Sequence, residues 1–206
     1  MNKNLLPPDV VAALRADAVI IYPTETLYGI GCSALCNSAV QRVFAIKGRH
    51  LHQPPPVLIA DTEQLSTLVA FIPAQAQPFM REFWPGSLTL ILPAHDEVPE
   101  ILCGKSADGK IRTIAVRHTA HPLAAALCAA LQSALVATSA NFSGATGRAA
   151  APQSLEDIPE NLKCLVDVVV DGGTMGGLPS TILDCTCNPP RVLRAGAVAL
   201  PQTFGD

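Results

Sequence analysis

Four short polar clusters in the sequence carry the residue types that bind anions. Each follows an apolar segment: Thr24-Glu25-Thr26, Lys47-Gly48-Arg49, Arg117-His118-Thr119 and Ser139-Ala140-Asn141. Open α/β sheets bind ligands beyond the carboxyl ends of their strands, where clusters of this kind converge. We therefore predict one ligand site that draws on all four clusters.

Lys47 and Arg49 are candidates for a phosphate site. Residues two apart share a face in an extended chain, and Gly48 between them permits an extended or turning backbone. The Arg49 guanidinium can then bind a phosphate bidentately, with the Lys47 ammonium beside it. The alternative is that both cations only complement the dipole at the end of a helix. The two residues alone leave both interpretations open.

Ser139 and Asn141 follow a predicted buried strand and present hydroxyl and amide groups on one side. Such groups can bind phosphate, ribose or a carboxylate, but both residues are also common in turns. Arg117 ends the apolar segment IRTIAVR, where a cation needs an anionic partner. That partner is either a bound carboxylate or phosphate, or the side chain of Glu25. Arg194 repeats the pattern of a cation after an apolar run and is a weaker indication.

Several other kinds of site lack support in the sequence. There is no HExxH, no nucleophile elbow, no GxxxxGK[ST] and no GxGxxG after a strand. The seven cysteines are an odd number, and neither Cys32 with Cys36 nor Cys185 with Cys187 has CxxC spacing. We predict free thiols that serve as small buried hydrophobes, with no disulfide framework and no metal held by protein ligands.

The composition is that of a globular protein. The chain has 206 residues, 49% of them hydrophobic and 15% charged, with a formal net charge of -3. These values exclude a disordered chain, a coiled coil and a protein that grips nucleic acid through bulk positive charge. The length predicts a single domain over residues 1–206. No apolar segment approaches the roughly 20 residues of a membrane span, and no signal peptide is recognisable, which predicts a cytoplasmic protein with no membrane partner.

Alternating helices and strands are predicted along most of the chain. Hydrophobic periodicity and capping residues predict helices at 9–17, 37–48, 62–69, 74–83 and from 121 onward. Strands are predicted at 18–22, 57–60, 87–92, 111–117, 134–139, 165–170, 180–184 and 191–194. Residues 94–110 are predicted to form a mobile polar excursion. The alternation, followed by a strand-rich end, predicts an α/β fold on a mixed sheet with flanking helices.

Seven motifs in order resemble the YrdC/Sua5 family of threonylcarbamoyl-AMP synthases, and together they span residues 18–196. They are YPTETLYGIG, KGR, FWPGSLTLIL, IAVRHTAHPL, TSANFSG, PSTILDCT and VLRAG. The resemblance implies a twisted, largely parallel sheet around a concave cavity, in the short single-domain form of the family. It also implies an enzyme that makes threonylcarbamoyl-AMP and pyrophosphate from L-threonine, bicarbonate and ATP, as the first step toward threonylcarbamoyladenosine in transfer RNA.

The same resemblance implies a role for individual residues. Lys47 and Arg49 are the implied catalytic pair at the nucleotide phosphates. The residues implied to bind ATP are Lys47, Arg49, Gln53, Thr113, Ser139, Asn141, Gly147 and Arg194. The residues implied to bind threonine are Thr26, Leu58, Arg117, Ala137 and Ser180, with backbone contributions near Leu58 and Ala137. Gln53 stands where the family usually has Lys or Asn, but it keeps a hydrogen-bond donor.

The expected ligands follow from the implied reaction. ATP is a substrate that carries Mg²⁺ on its phosphates, and a downstream tRNA-modifying transferase complex is the expected partner. Two alternatives are a non-catalytic module that binds RNA in its concave surface and a divergent paralogue with another adenylate or carbamoyl chemistry. The net charge of -3 weighs against the RNA-binding module.

Overall fold

Two β-sheets with helices packed against them form the fold of this chain, in a computed structural model that describes residue 6, residues 8–48 and residues 54–200. The α-helices are α1 (Pro8–Arg15), α2 (Asn37–Lys47), α3 (Gln77–Phe83), α4 (Pro122–Leu131) and α5 (Glu160–Lys163). Single 3-10 turns cover Thr62–Thr67, Ala74–Ala76, Glu100–Leu102, Gly147–Ala150 and Leu155–Asp157. The strands are β1 (Ile20–Pro23), β2 (Tyr28–Gly31), β3 (Val57–Ile59), β4 (Leu88–Pro93), β5 (Gly104–Lys105), β6 (Arg112–His118), β7 (Leu135–Val136), β8 (Thr138–Ser139), β9 (Val168–Val169), β10 (Thr181–Asp184) and β11 (Arg191–Arg194).

The smaller sheet has the strand order β8-β2-β1-β9, and the larger has β11-β10-β4-β6-β3-β7 with β5 added to β6. The predicted α/β class and mixed pairing are confirmed. The structure differs from the expected largely parallel sheet, because only the pairs β1–β9, β3–β6 and β4–β10 are parallel among the described strands. Short connections such as the turn between β1 and β2 permit antiparallel pairing, whereas a parallel pair needs a long crossover.

The buried strand β1 separates two hydrophobic cores. Ile20 and Tyr22 point to the core formed with α1 and α4, and Ile21 points to the larger core that includes α2. Successive strand residues face opposite sides, so a strand buried on both faces is apolar at nearly every position. This explains the unbroken apolar run AVIIY that predicted the strand.

Strand β2 was not predicted, because two of its four residues are glycine. Glycine is depleted in strands, but here the space is too small for any other residue. A Cβ atom on Gly31 would lie 1.6 Å from the carbonyl oxygen of Val136. The close crossing of β2 over β7 therefore requires glycine.

The predicted strand at 134–139 is divided between the two sheets. Leu135–Val136 pairs with β3 in the larger sheet, and Thr138–Ser139 pairs with β2 in the smaller one. Ala137 is the single residue between them. Its amide donates to the Pro56 carbonyl oxygen at 2.8 Å, which fixes the point where the chain changes sheets.

The helices agree in part with their predictions. Helix α2 ends at Gly48 as predicted, with the glycine in the left-handed region at φ 59°. The predicted helix at 62–69 is instead a 3-10 turn, capped by mutual side-chain and backbone bonds of Asp61 and Gln64. The predicted excursion at 94–110 contains a 3-10 turn and β5, and its residues Val98 and Leu102 are buried. None of the helices in the described part of the chain combines the length and hydropathy that a bilayer span requires.

Burial sets the reactivity of the cysteines, all of which are free. It raises the pKa of Cys32, Cys128 and Cys185 to about 12. Cys164 is exposed, contrary to the general prediction that the cysteines are buried. Only a thiolate reacts quickly with alkylating reagents, and a thiol of such high pKa stays protonated at neutral pH.

We expect iodoacetamide to modify Cys164 in the native protein and to leave these three buried cysteines unmodified, as read by peptide mass spectrometry. All four should react after denaturation, which controls for detection. Labelling of Cys128 as fast as that of Cys164 in the native protein would contradict the burial described here.

Candidate active site

A cavity of about 490 Å³ lies between the two sheets, and most of the predicted site residues meet there. The smaller sheet supplies β2 and β8 to its wall, and the larger sheet supplies β4, β5, β6, β10 and β11. The predicted residues on its wall are Thr26, Thr113, Arg117, Ala137, Ser139, Ser180 and Arg194. Three of the four polar clusters predicted to form the site therefore contribute to the cavity wall, whereas Lys47 and Gly48 of the fourth do not line it.

Strand β6 runs along the cavity wall. Thr113, Ala115 and Arg117 alternate along the strand, so they share the face that lines the cavity. At about 3.3 Å per residue, the ends of this row are roughly 13 Å apart. A ligand with an anionic group at Arg117 and a second part near Thr113 would lie along this strand.

Arg117 forms a buried ion pair with Glu25. Their side chains are only 6% and 14% exposed, and Arg117 Nη1 lies 3.0 Å from Glu25 Oε1. The same Nη1 donates to the Thr26 hydroxyl at 3.2 Å, and Glu25 Oε2 accepts from the Thr119 hydroxyl at 2.7 Å. Both contacts of the guanidinium within the described residues use Nη1, which leaves Nη2 and Nε for an anion in the cavity. Glu25 and an anionic ligand can therefore contact the Arg117 guanidinium at the same time.

The turn between β1 and β2 holds Thr26 at the wall. The Thr24 hydroxyl donates to the Leu27 carbonyl oxygen at 2.7 Å, and its oxygen lies 3.0 Å from that of the Thr26 hydroxyl. Gly177 packs against this turn so closely that a Cβ atom there would lie 2.7 Å from Thr26 Cα. The segment after β9 therefore fixes the turn from outside.

Lys47 lies behind the cavity wall rather than on it. Its ammonium is 2.5 Å from the Ser139 carbonyl oxygen and 2.7 Å from both the carbonyl oxygen and Oδ1 of Asn141. Lys47 is only 3% exposed. The structure thus brings Lys47, Ser139 and Asn141 together, as predicted, and the lysine orders the turn that carries the other two. Arg49 and Gln53 lie outside the described residues.

Asn141 connects this turn to the next segment. Its Oδ1 accepts from the Ser139 hydroxyl at 2.9 Å, and its Nδ2 donates to the Ala150 carbonyl oxygen at 2.8 Å. Ala150 lies on the cavity wall, at the end of the 3-10 turn that begins at Gly147. Gly147 has a φ of 61°, which favours glycine, and it does not itself line the cavity.

Leu58 was predicted to contribute to threonine binding, but the structure places its side chain in the core. It is fully buried in the core under α4, and its carbonyl oxygen accepts from the Cys128 thiol at 3.4 Å. Leu58 pairs in register with Arg117, so it supports the strand that carries the arginine. It does not line the cavity.

Arg194 and Ser180, which were predicted to bind different substrates, form hydrogen bonds to each other. Arg194 donates through Nε and Nη2 to the Ser180 carbonyl oxygen at 3.0 and 2.7 Å, and through Nη2 to its hydroxyl oxygen at 3.0 Å. A Cβ atom on Gly196 would lie 2.1 Å from the Pro179 carbonyl oxygen, so glycine allows this close packing. A predicted nucleotide-binding residue thus directly contacts a predicted threonine-binding residue.

The sequence did not indicate several residues of the wall, among them Gly29, Gly104, Ile182 and Leu193. A Cβ atom on Gly104 would lie 3.0 Å from the Thr113 hydroxyl oxygen, so a side chain there would crowd the cavity. The signal for Ile182 is its spacing, since it lies two residues after Ser180 on one face of a strand. Nothing in the sequence distinguishes the two glycines from those of ordinary turns.

His121 has a structural role. Its Nδ1 accepts from the Ala124 amide at 3.5 Å and caps α4, which requires an unprotonated nitrogen. Burial lowers the pKa of His121, although the Glu25 carboxylate acts in the opposite direction. The imidazole is therefore neutral near pH 7, as its role as a cap acceptor requires.

Comparison with known proteins shows which family has this fold and these motifs. A family model described as "Sua5_yciO_yrdC: Telomere recombination" matches residues 12–196. The chain belongs to this family. The family resemblance of the seven motifs is thereby confirmed.

Curated relatives and solved structures share this family's fold. The threonylcarbamoyl-AMP synthase of Pyrococcus abyssi is 38% identical over 189 residues, which is 92% of this chain and 53% of that protein. The threonylcarbamoyl-AMP synthase of Chromobacterium violaceum is 41% identical over 184 residues, which is 88% of each protein. The crystal structure of P. abyssi Sua5 complexed with L-threonine has a TM-score of 0.81 and 36% identity, over 91% of this chain and 53% of that one. The chain thus spans about half the length of the Pyrococcus protein and most of the Chromobacterium protein.

Proposed function

We propose that this chain is an L-threonylcarbamoyladenylate synthase, a nucleotidyltransferase. It condenses L-threonine, bicarbonate and ATP to threonylcarbamoyl-AMP, pyrophosphate and water, for the threonylcarbamoyladenosine modification of transfer RNA. The observation that carries the proposal is Arg117 on the cavity wall beside Thr26, in a fold that closely matches a protein solved with L-threonine. The names of the relatives favour this activity over an RNA-binding module.

The amino acid binds at the Arg117 end of the cavity. The guanidinium pairs with the threonine carboxylate through Nη2 and Nε, since Nη1 already contacts Glu25 and Thr26. Glu25 holds the guanidinium in place and offsets its charge while the cavity is empty. The threonine amine then points along β6 toward the part of the cavity where the nucleotide binds.

The reaction brings several anions into one small space. The threonine amine attacks the carbon of bicarbonate, a proton passes from the nitrogen to a departing oxygen, and loss of water leaves a carbamate. A carbamate oxygen attacks the α-phosphorus of ATP, and the bond between that phosphorus and the bridging oxygen of pyrophosphate breaks. Lys47, Arg194 and Arg49 offset the accumulated negative charge, with Lys47 acting from behind the turn at Ser139. No covalent intermediate with the protein is needed, because holding the reactants in register can supply roughly 7–11 kcal/mol of the barrier.

Mg²⁺ is proposed to enter on the ATP phosphates, where it would neutralise part of their charge. Within residues 8–48 and 54–200, no group of three or more His, Cys, Asp or Glu side chains could hold a metal ion. The described residues therefore do not form a protein cage for the ion, and the roles given to them above do not depend on it.

The remaining proposals concern the surroundings of the enzyme. Residues 1–206 form a single YrdC-like domain that acts in the cytoplasm. Its product is consumed by a downstream tRNA-modifying transferase complex. The cavity accepts small anionic substrates, so direct binding of transfer RNA is not required for the first step.

The test is pyrophosphate release by the purified chain. We expect release only when ATP, bicarbonate and L-threonine are all present, with threonylcarbamoyl-AMP identified by mass spectrometry. Omission of each substrate in turn is the control. Activity that is independent of threonine, or faster with another amino acid, would contradict the proposal and favour the divergent paralogue.

A further inference from the structure

Thr89 is a fully buried threonine on β4, and its hydroxyl is on the cavity side of the larger sheet. It pairs in register with Ile182, a residue of the cavity wall. Its Oγ1 lies 2.8 Å from the hydroxyl oxygen of Ser180. Ser180 is 6% exposed and lies on the wall itself.

The direction of this hydrogen bond follows from the surroundings of Thr89. Among the described residues the Thr89 hydroxyl has no other hydrogen-bond partner than Ser180. A buried hydroxyl proton without an acceptor costs about 1–3 kcal/mol, so Thr89 must donate its proton to the Ser180 oxygen. Ser180 is therefore the acceptor in this bond.

A second donor occupies the other side of the Ser180 oxygen. Arg194 Nη2 lies 3.0 Å from it, and a guanidinium can only donate. A hydroxyl oxygen has two acceptor positions and one proton of its own. With both acceptor positions filled, the Ser180 proton points away from Thr89 and Arg194, toward the cavity that Ser180 lines.

We propose that Thr89 is a positioning residue that holds the Ser180 hydroxyl as a donor directed at an oxygen atom of the amino-acid substrate. The proposal rests on the proposed function, since it assigns that substrate to the site. Without Thr89, Ser180 can turn its proton away from the cavity and lose the hydrogen bond to the substrate. Valine would fill the same space in a strand as well as threonine does, so packing alone does not require the hydroxyl.

Two replacements of Thr89 separate its hydroxyl from its shape. Thr89→Val keeps the shape and removes the donor, whereas Thr89→Ser keeps the donor and removes a methyl group. We expect Thr89→Val to raise the KM for threonine about 3- to 10-fold, the value of one ordinary hydrogen bond. The KM for ATP and kcat should remain within about twofold of the wild type. Thr89→Ser should restore the KM for threonine.

Thr181→Val is the matched control, because it also removes a buried hydroxyl from this sheet. The Thr181 hydroxyl donates to the Val198 carbonyl oxygen at 2.6 Å and accepts from its amide at 3.0 Å, away from the cavity. This variant should lower the Tm without changing the KM for threonine. An unchanged KM in Thr89→Val, or a KM for Thr89→Ser as high as that for Thr89→Val, would overturn the positioning role.

Calorimetric titration of threonine without ATP distinguishes this proposal from the proposed function. Threonine binding that is weakened in Thr89→Val supports the positioning role even if the wild type releases no pyrophosphate, in which case only the synthase activity fails. Equal binding by the wild type and Thr89→Val overturns the positioning role even if the enzyme is active. Absence of threonine binding in the wild type overturns both.

Discussion

Arg117→Met is expected to lower kcat/KM for threonine by about 100-fold or more and also to destabilise the protein. Removing one partner of a buried ion pair costs about 3–5 kcal/mol, because the other charge is left buried and unpaired. Here that charge is the Glu25 carboxylate, whose side chain is 14% exposed. The loss of activity has a separate cause, since the threonine carboxylate loses its cationic partner.

A double variant separates the two effects. Arg117→Met with Glu25→Gln removes both charges, so most of the lost free energy of unfolding should return while activity stays low. Denaturant unfolding and the pyrophosphate assay provide the two measurements. Arg42→Met is the control, because the Arg42–Asp167 ion pair has side chains 46% and 41% exposed. Such pairs contribute at most about 1 kcal/mol. Wild-type activity in Arg117→Met would refute the assignment of the threonine site.

Lys47→Met is expected to reduce turnover by at least about 100-fold while the protein still folds, although with a lower Tm. The substitution removes the ammonium that holds three oxygen atoms of Ser139 and Asn141. Each buried acceptor left without a donor costs about 1–3 kcal/mol, and methionine fills part of the vacated space. The turn at 139–141 then loses its geometry, and the proposed phosphate site loses a positive charge.

The matched control for Lys47 is Lys163→Met, which breaks an ion pair with Glu160, whose side chain is 79% exposed. It should change the Tm by no more than a degree or two and leave the pyrophosphate rate unchanged, because an ion pair with a solvent-exposed partner contributes little. Full activity in Lys47→Met would show that neither the charge nor the ordered turn is needed. For Arg49, which lies outside the described residues, replacement by alanine is predicted to abolish turnover, because the residue is implied to bind the nucleotide phosphates.

The positions of the polar clusters could be predicted because each follows a strongly apolar segment. Arg117 illustrates this, since IRTIAVR predicts a strand and the final cation then requires an anion. The end of α2 at Gly48 was also predictable, because only a residue that tolerates positive φ continues the chain there. In both cases local sequence and tertiary structure favour the same conformation.

Other features depend on contacts between distant parts of the chain. The role of Lys47 behind the wall requires Ser139 and Asn141, more than 90 residues away, and the sequence near Lys47 indicates only a helix end. Thr89 reads as an ordinary strand residue, because β-branched residues favour strands. Its hydrogen bond to Ser180 exists only because β4 and β10 pair. Long-range pairing of this kind is not contained in local periodicity.

The change of sheet at Ala137 restricts insertions and deletions in the segment around it. Ser139 pairs with Gly29 on one side of Ala137, and Val136 pairs with Val57 on the other. Inserting or deleting one residue between them would shift the register of one strand and turn its side chains to the opposite face. The Ser139 side chain would then turn to the opposite face of its strand, and the Lys47 contacts would be lost. Single-residue insertions and deletions should therefore be rejected at 136–138 in a mutational library, whereas the exposed turn at 107–110 should accept them.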